Sequence, residues 1–182
     1  SISNVFVYKM TYTLWFTGLP ASGKSTLALR LSAFLREHGN KVEVLDSDIV
    51  RPDFGELIGF DAHDREIITQ CIAFTSSTLN KHGIISLAVA VVPKARVREK
   101  NRRIIRNYIE IFCKCSLEAA ERNDPKGLYK MARAGKIKNF TGLDEEYEVP
   151  ASPEITLDIE NETVDESTNK VIQYLKNNRY LC

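Results

Sequence analysis

Residues 18–25 constrain the fold of this chain more than any other stretch. They read Gly-Leu-Pro-Ala-Ser-Gly-Lys-Ser, which matches the pattern G-x-x-x-x-G-K-[ST]. A run rich in β-formers at 12–17 precedes the pattern, and an apolar stripe with helical spacing follows it. In that context the glycines let successive backbone N–H groups point inward, and the start of the helix adds a positive dipole. The sequence therefore predicts a phosphate-binding loop between a strand and a helix.

Side chains in this loop and after the next strand predict a site for a nucleoside triphosphate. Lys24 can reach the β- and γ-phosphates, and the Ser25 hydroxyl can ligate Mg²⁺. Asp46 and Asp48 follow a second strand, at the sheet edge where ligands of open α/β sheets bind. One carboxylate could hold Mg²⁺ through water while the other accepts a proton from an attacking hydroxyl; the alternative is a solvated turn. The candidate ATP-binding residues are Gly18, Leu19, Pro20, Ala21, Ser22, Gly23, Lys24, Ser25 and Thr26.

The apolar pattern alternates between strand and helix periods along the whole chain. Strands are predicted at 12–17, 42–45, 84–92, 108–113 and 155–158, and helices at 24–38, 63–81, 94–106, 117–122 and 165–178. This order predicts an α/β fold with a parallel sheet of about five strands, flanked by helices on both faces. We expect one domain over residues 10–182. Residues 1–9 are expected to be an N-terminal extension or an expression remnant, because Met10 is a candidate native start.

Composition disfavours several classes of protein. Hydrophobic residues make up 43% of the chain and charged residues 27%, which is typical of globular domains. A net charge of +1 argues against bulk binding to nucleic acid or to a membrane surface. No apolar run approaches the roughly 20 residues that span a bilayer, and the start lacks the features of a signal peptide. We expect a cytoplasmic protein whose four cysteines are thiols and do not form a zinc site.

Charge is nevertheless segregated along the sequence. Residues 94–106 hold seven Lys and Arg, residues 126–138 hold five, and residues 144–166 hold ten acids and no base. The stretch at 124–142 also contains three glycines and shows no core pattern, which predicts a mobile basic lid that closes over the substrates. For residues 94–106 two alternatives stay open, a second basic segment over a polyphosphate and a solvated helix face.

Several motifs together resemble the adenylylsulfate kinase family. Residues 124–130 read Asp-Pro-Lys-Gly-Leu-Tyr-Lys and residues 140–142 read Phe-Thr-Gly, and the similarity runs from about residue 12 to 178. The resemblance implies transfer of the ATP γ-phosphoryl group, with Mg²⁺, to the 3′-hydroxyl of adenylyl sulfate. It implies Asp48 as the base or Mg²⁺-linked carboxylate, Lys24 and Asp46 as further catalytic residues, and Ser25 and Asp46 as water-mediated Mg²⁺ ligands. The acceptor-binding residues that it implies are Arg51, Phe60, Arg65, Lys126, Lys138 and Phe140.

The chain departs from the family pattern at several positions. Ser47 and Ile49 replace a glycine and an asparagine, Ile68 replaces an asparagine, Val92 replaces a serine, and Asn123 stands in place of an arginine. Gln70 and Cys71 occupy the places of two arginines. These changes leave the acceptor open between adenylyl sulfate and another modified nucleotide, such as cytidine diphosphoramidate.

Two functional classes other than a kinase are disfavoured by the sequence. An ATP-binding switch without transfer is disfavoured by the retention of Lys24, Asp46 and Asp48, and a nucleic-acid binder by the net charge. The expected partners are nucleotides, and a homodimer is left open.

Overall fold

The computed structural model describes residues 10–181, which form a three-layer α/β fold. The strands are β1 (Thr13–Thr17), β2 (Val42–Asp46), β3 (Ile85–Val89), β4 (Tyr108–Lys114) and β5 (Ile155–Asp158). The helices are α1 (Lys24–Glu37), α2 (Ser47–Val50), α3 (Ala62–Lys81), α4 (Ala95–Ile104), α5 (Leu117–Arg122), α6 (Leu128–Arg133) and α7 (Val164–Asn177), and a 3₁₀ segment (Arg51–Leu57) follows α2. The expected extension at residues 1–9 lies outside the described residues.

The sheet places the phosphate loop and the first carboxylate on the same rim. All five strands are parallel, in the order β2-β3-β1-β4-β5. Phe16 of β1 and Asp46 of β2 are both in register with Val89 of the strand between them. Because the carboxyl ends of parallel strands share one edge, the loop after Thr17 and the Asp46 side chain meet there.

Both faces of the sheet are covered by helices. Leu14 and Phe16 of β1 belong to a first core cluster with α1 and α7, whereas Trp15 belongs to a second with α3 and α4. All five β1 residues are buried. This two-sided burial explains why β1 lacks the alternation of polar and apolar residues seen in half-exposed strands.

The predicted fold class and all five predicted strands are confirmed. The apolar run at 84–92 is a strand only over Ile85–Val89, because the chain leaves the sheet at the rim and turns toward α4. The five predicted helices are present with small shifts at their ends. Within residues 10–181, no helix is both long enough and apolar enough to cross a membrane.

Two helical elements were not predicted. Helix α2 has only four residues, and its N-cap is Asp46, whose carboxylate accepts the Asp48 backbone N–H at 2.9 Å. Helix α6 lies inside the segment that was expected to lack a core pattern. That expectation is wrong, because Tyr129 and Phe140 are buried and form a third cluster with Ala120. Short elements of this kind depend on a cap and on tertiary contacts rather than on a long periodic stripe.

Helix α4 uses its basic residues mainly for internal contacts. Arg102 forms a bidentate pair with Glu154, and Lys94 Nζ lies 3.5 Å from Glu148 Oε1. Arg98 is only 3% exposed and donates to two backbone carbonyl oxygens. The acidic tract therefore neutralises part of this helix. Of the two alternatives left open for residues 94–106, these contacts disfavour a second basic segment over a polyphosphate, and the burial of Arg98 means that the helix is not simply a solvated face either.

Three cysteines fall within the described residues, and Cys71, Cys113 and Cys115 are all free thiols, as expected. Burial raises the pKa of Cys113 to about 12 and also raises the pKa of Cys115. Both thiols are therefore protonated at neutral pH and poor nucleophiles.

Two leucines of α1 offer a matched test of the first core cluster. Leu31 is fully buried, whereas Leu29 is 61% exposed on the same helix. We expect Leu31→Ala to lower the free energy of unfolding by about 2–5 kcal/mol, because it opens a cavity in the core. Leu29→Ala should change that energy by less than about 0.5 kcal/mol. Urea unfolding followed by circular dichroism measures both, and equal losses would contradict the assigned packing.

Candidate active site

The phosphate loop begins at a point where only glycine fits. A Cβ on Gly18 would lie 2.6 Å from the Cys113 carbonyl oxygen of β4 and 2.9 Å from Ser22 Oγ. At its other end, Gly23 caps α1 with a φ of 77°, in the left-handed region that favours glycine. The two glycines of the motif therefore have separate roles, a close approach at the start and a left-handed turn at the end.

Lys24 folds back over its own loop in this structure. Its Nζ donates to the carbonyl oxygens of Gly18 at 3.1 Å and Leu19 at 2.7 Å, and to Ser22 Oγ at 3.3 Å. The residue is 8% exposed, and burial lowers the pKa of its ammonium group. Desolvation of this kind strengthens the attraction between the ammonium and an anion that enters the loop.

Ser25 and Asp46, the two predicted Mg²⁺ residues, are in direct contact. Ser25 Oγ donates to Asp46 Oδ2 at 2.5 Å, and the other carboxylate oxygen caps α2. Asp46 is 6% exposed. A hydroxyl and a carboxylate are oxygen ligands of the type that Mg²⁺ prefers, so the pair fits this ion. Within residues 10–181 there is no group of three or more His, Cys, Asp or Glu that could hold a metal.

Asp48 lies on the open side of the same rim. Its side chain is 61% exposed, and Lys126 Nζ lies 2.5 Å from its Oδ2. Lys126 is 56% exposed and belongs to the lid segment. The predicted acceptor residue Lys126 is thus paired with the predicted base in this structure. An exposed pair of this kind is weak and can exchange partners readily.

Arg51 and Phe60 lie together beside Asp48, as expected for residues that contact one ligand. The Arg51 guanidinium is 4.5 Å from the centre of the Phe60 ring and also donates to the Gly59 carbonyl oxygen. Phe60 is 75% exposed. The guanidinium over the ring is a favourable cation–π contact, and the exposed part of the ring can stack against a planar base.

Arg65 joins α3 to the end of the lid. Its Nη2 donates to Glu145 Oε2 at 2.6 Å and its Nη1 to Thr141 Oγ1 at 3.3 Å. The side chains of Arg65 and Glu145 are 25% and 17% exposed. Glu145 was not predicted as a site residue, and no motif pointed to it. An anion that binds Arg65 must share the guanidinium with this carboxylate or displace it.

Phe140 and Lys138 occupy the far end of the lid. Phe140 is 8% exposed and packs edge-on against Tyr129, with ring centres 4.9 Å apart at an angle of 77°. Lys138 is exposed. Phe60, which is in contact with Arg51, therefore leaves more of its ring open to an acceptor base than Phe140, which is mostly covered by the lid itself.

The lid and the residue before it also contact the phosphate loop, through two side chains that were not predicted to do so. The Tyr129 hydroxyl donates to the Pro20 carbonyl oxygen at 2.8 Å, and the Asn123 amide donates to the Ala21 carbonyl oxygen at 3.0 Å. Tyr129 lies within the Asp-Pro-Lys-Gly-Leu-Tyr-Lys motif, which was the available signal. Its partner is 109 residues away in sequence, so local pattern could not reveal the contact.

Three apolar departures from the family pattern differ in where they lie. Ile49 is 69% exposed near Asp48, whereas Ile68 and Val92 are 1% and 4% exposed in the second core cluster. The sequence placed all three among the acceptor-side changes. Only Ile49 presents its side chain to open space; the other two pack in the core behind the rim.

A cavity of about 380 Å³ opens beside the phosphate loop. It is lined by residues of the loop, of α5 and of the turn after β5: Ala21, Ser22, Cys115, Ala119, Ala120, Arg122, Asn123, Ile159, Glu160 and Asn161. Its volume suits a nucleobase and ribose, and it adjoins the loop that would hold the phosphates.

Known proteins are similar to this chain in sequence and architecture. The family model for adenylylsulphate kinase matches residues 10–158. An adenylyl-sulfate kinase of Rippkaea orientalis is 43% identical over 93% of this chain and 94% of its own length. A probable bifunctional SAT/APS kinase 2 of Sorangium cellulosum is 41% identical over 93% of this chain, which spans 29% of that relative. The solved structure of the Mycobacterium tuberculosis APS kinase CysC in complex with AMPPNP and APS has a TM-score of 0.87 and 36% identity over 92% of this chain and 98% of its own.

Hydrogen exchange tests whether part of the lid moves. The backbone N–H groups at the start of α6 bond to the Asp124 carboxylate at 2.8–3.3 Å, so we expect slow exchange at 128–133 in the free protein. Residues 134–139 are mostly exposed and should exchange fast. A non-hydrolysable ATP analogue with adenylyl sulfate should slow exchange at 134–139, because closure excludes water. Unchanged exchange there with both ligands bound would contradict a closing lid.

Proposed function

This chain belongs to the adenylylsulphate kinase family, and we propose that it transfers the γ-phosphoryl group of ATP to the 3′-hydroxyl of adenylyl sulfate, giving 3′-phosphoadenylyl sulfate. The observation that carries the proposal is the single rim on which a complete phosphate loop, the Ser25–Asp46 pair and the Asp48 carboxylate meet. Such a rim supplies a donor site, metal ligands and a proton acceptor beside each other.

In the proposed complex, the phosphates of ATP lie in the loop and its base enters the 380 Å³ cavity. Lys24 then exchanges the Gly18 and Leu19 carbonyl oxygens for the β- and γ-phosphates. This exchange replaces two neutral acceptors by anionic oxygens, so the attraction between opposite charges in a desolvated site is added to each hydrogen bond.

Ser25 and Asp46 would hold Mg²⁺ through water. The ion, when bound, neutralises charge on the β- and γ-phosphate oxygens during transfer. The chain contributes the orientation of these two oxygen ligands, which the Asp48 backbone N–H helps to fix by binding Asp46 Oδ1.

Asp48 is proposed as the proton acceptor. The 3′-hydroxyl gives its proton to the carboxylate while its oxygen bonds to the γ-phosphorus, and ADP leaves as the terminal P–O bond breaks. Lys126 pairs with Asp48 before the substrates bind. Once the acceptor reaches Asp48, the lid lysine is free to approach the transferred phosphoryl group or the acceptor.

The acceptor is proposed to bind between the Arg51–Phe60 pair and the lid. Phe60 offers a ring face for the base, and Arg51, Arg65 and Lys138 offer positive charge for its anionic groups. Phe140 is 8% exposed, so only a small part of its ring would contact the acceptor.

A second acceptor class is favoured by one observation. Ile49 is 69% exposed beside Asp48, at a position where the family carries a hydrogen-bonding asparagine. A site that lacks this group discriminates less against a nucleotide with a different polar edge. Another modified nucleotide, such as cytidine diphosphoramidate, is therefore the alternative, with the same 3′-transfer.

The cellular setting is also part of the proposal. We propose a cytoplasmic enzyme that acts on free nucleotides rather than on nucleic acid or membranes, as a sequence with a net charge of +1 suggests. Homodimer assembly is kept in the proposal as an open alternative.

Steady-state kinetics with a panel of nucleotide acceptors test the proposal. We expect kcat/KM for adenylyl sulfate above about 10⁴ M⁻¹s⁻¹, the low end of the range for natural substrates. Lys24→Ala serves as the control and should lower transfer at least about 10²-fold, the scale for loss of one charge-stabilising group. If kcat/KM is orders of magnitude lower for adenylyl sulfate and high for a pyrimidine nucleotide, the proposed acceptor is wrong, while the proposed phosphoryl transfer from ATP still holds.

Asp48→Asn separates catalysis from ATP binding. The change keeps the shape of the side chain and removes its ability to take a proton, so kcat should fall about 10²-fold or more. The affinity for ATP should stay within a few fold, because the loss concerns the transition state. Glu56→Gln, an exposed carboxylate change in the nearby 3₁₀ segment, is the matched control. Full activity in Asp48→Asn would exclude Asp48 as the proton acceptor.

A further inference from the structure

Four consecutive carbonyl oxygens of the phosphate loop each accept a hydrogen bond from a side chain. Lys24 binds those of Gly18 and Leu19, Tyr129 binds that of Pro20, and Asn123 binds that of Ala21. In a planar trans peptide the C=O of one residue and the N–H of the next point in opposite directions. A donor that fixes the Pro20 carbonyl therefore also fixes the direction of the Ala21 N–H.

The four bonds differ in how they would respond to a bound triphosphate. Lys24 gives up its two carbonyl partners when it turns to the phosphates, whereas Tyr129 and Asn123 keep theirs. Tyr129 is 1% exposed, so water does not compete for its hydroxyl, while Asn123 is exposed. The Tyr129 bond is thus the one that stays in place and is shielded from solvent during turnover.

The loop requires such an external hold. Ala21 has a φ of 61°, a left-handed value that is unfavourable for any residue with a Cβ. Residues in this region persist only when surrounding contacts fix them. The Tyr129 hydroxyl binds the peptide that leads into Ala21, and Ala21 itself packs against the Tyr129 cluster.

Tyr129 also reaches the acceptor side of the site. Its ring is in edge-on contact with Phe140, with centres 4.9 Å apart. Its own helix is anchored because the Asp124 carboxylate accepts the Tyr129 N–H at 2.9 Å. A second close contact lies beside it, since a Cβ on Gly142 would lie 3.1 Å from Leu19 Cδ2 of the loop. The phosphate loop and the aromatic end of the lid are therefore packed as one unit around Tyr129.

We propose that Tyr129 is a positioning residue for phosphoryl transfer. Its hydroxyl orients the Pro20–Ala21 peptide toward the donor phosphates. Its ring contacts Phe140, so that a shift of the phosphate loop also shifts Phe140. Binding of ATP in the loop thereby raises the affinity of the protein for the acceptor. This inference rests on the proposed kinase function, and its first measurement needs only the donor.

Tyr129→Phe tests the hydroxyl alone, because the ring and its contact with Phe140 are kept. We expect the affinity for a non-hydrolysable ATP analogue with Mg²⁺ to weaken about three- to tenfold, the range for loss of one hydrogen bond. The ATP analogue should also tighten adenylyl sulfate binding less than in the unaltered protein, so that the ratio of the acceptor dissociation constants without and with the analogue falls toward one. Isothermal titration calorimetry measures both. Tyr180→Phe is the control, since Tyr180 packs against Tyr12 and the first core cluster, and it should leave both quantities unchanged.

Phe140→Leu tests the second half of the proposal and keeps the Tyr129 hydroxyl. It should leave the affinity for the ATP analogue unchanged and lower the factor by which the analogue tightens the acceptor. Thermal melting of each variant separates these effects from a loss of folding, because a purely structural residue lowers the melting temperature without changing that factor. Unchanged donor affinity in Tyr129→Phe, or an unchanged factor in both variants, would overturn the inference. Failure of the unaltered protein to bind the analogue would instead remove the proposed function.

Discussion

The close approach of Gly18 to β4 is the constraint on which the rest of the site depends. Strand β1 pairs with β4 up to Thr17, and the next residue passes so near the Cys113 carbonyl that a Cβ would lie 2.6 Å from it. Only glycine fits at this position, where the chain leaves the sheet. From that point the loop turns back over the rim, and Lys24, the first residue of α1, ends 8% exposed with its ammonium against its own loop.

Four cations of the proposed site already have partners in the substrate-free protein. Lys24 binds loop carbonyl oxygens, Lys126 binds Asp48, Arg65 binds Glu145 and Arg51 binds the Gly59 carbonyl oxygen. If these residues hold the substrates as proposed, binding of ATP and an acceptor exchanges their partners rather than filling an unpaired site. Exchange keeps the cost of desolvating each cation low, and a ligand must match the charge it displaces, which contributes to specificity.

The sequence predicted the structure best where a short local pattern is enough to define an element and its place in the fold. The strand period and the glycine motif placed β1 and the phosphate loop correctly, and Asp46 was expected at the rim because it follows an apolar strand. Helix α6 was missed because its segment is rich in lysine and glycine, which predicted a mobile lid. Its stability comes from the Asp124 carboxylate, which accepts backbone N–H groups at its start, and from the burial of Tyr129. Ile68 and Ile49 looked equivalent as apolar replacements, yet one is core and the other is exposed.

By itself, the sequence determined the phosphate-loop motif, the five strands and five of the seven α-helices of residues 10–181. Glycine spacing, a lysine and a hydroxyl at the start of a helix, and two carboxylates after a strand carry that information within short segments. Only the tertiary structure decided which side chains restrain the phosphate loop and which cations are paired before substrates bind. These contacts join residues about a hundred positions apart, such as Tyr129 and Pro20, and depend on how the lid packs against the sheet rim rather than on any local period.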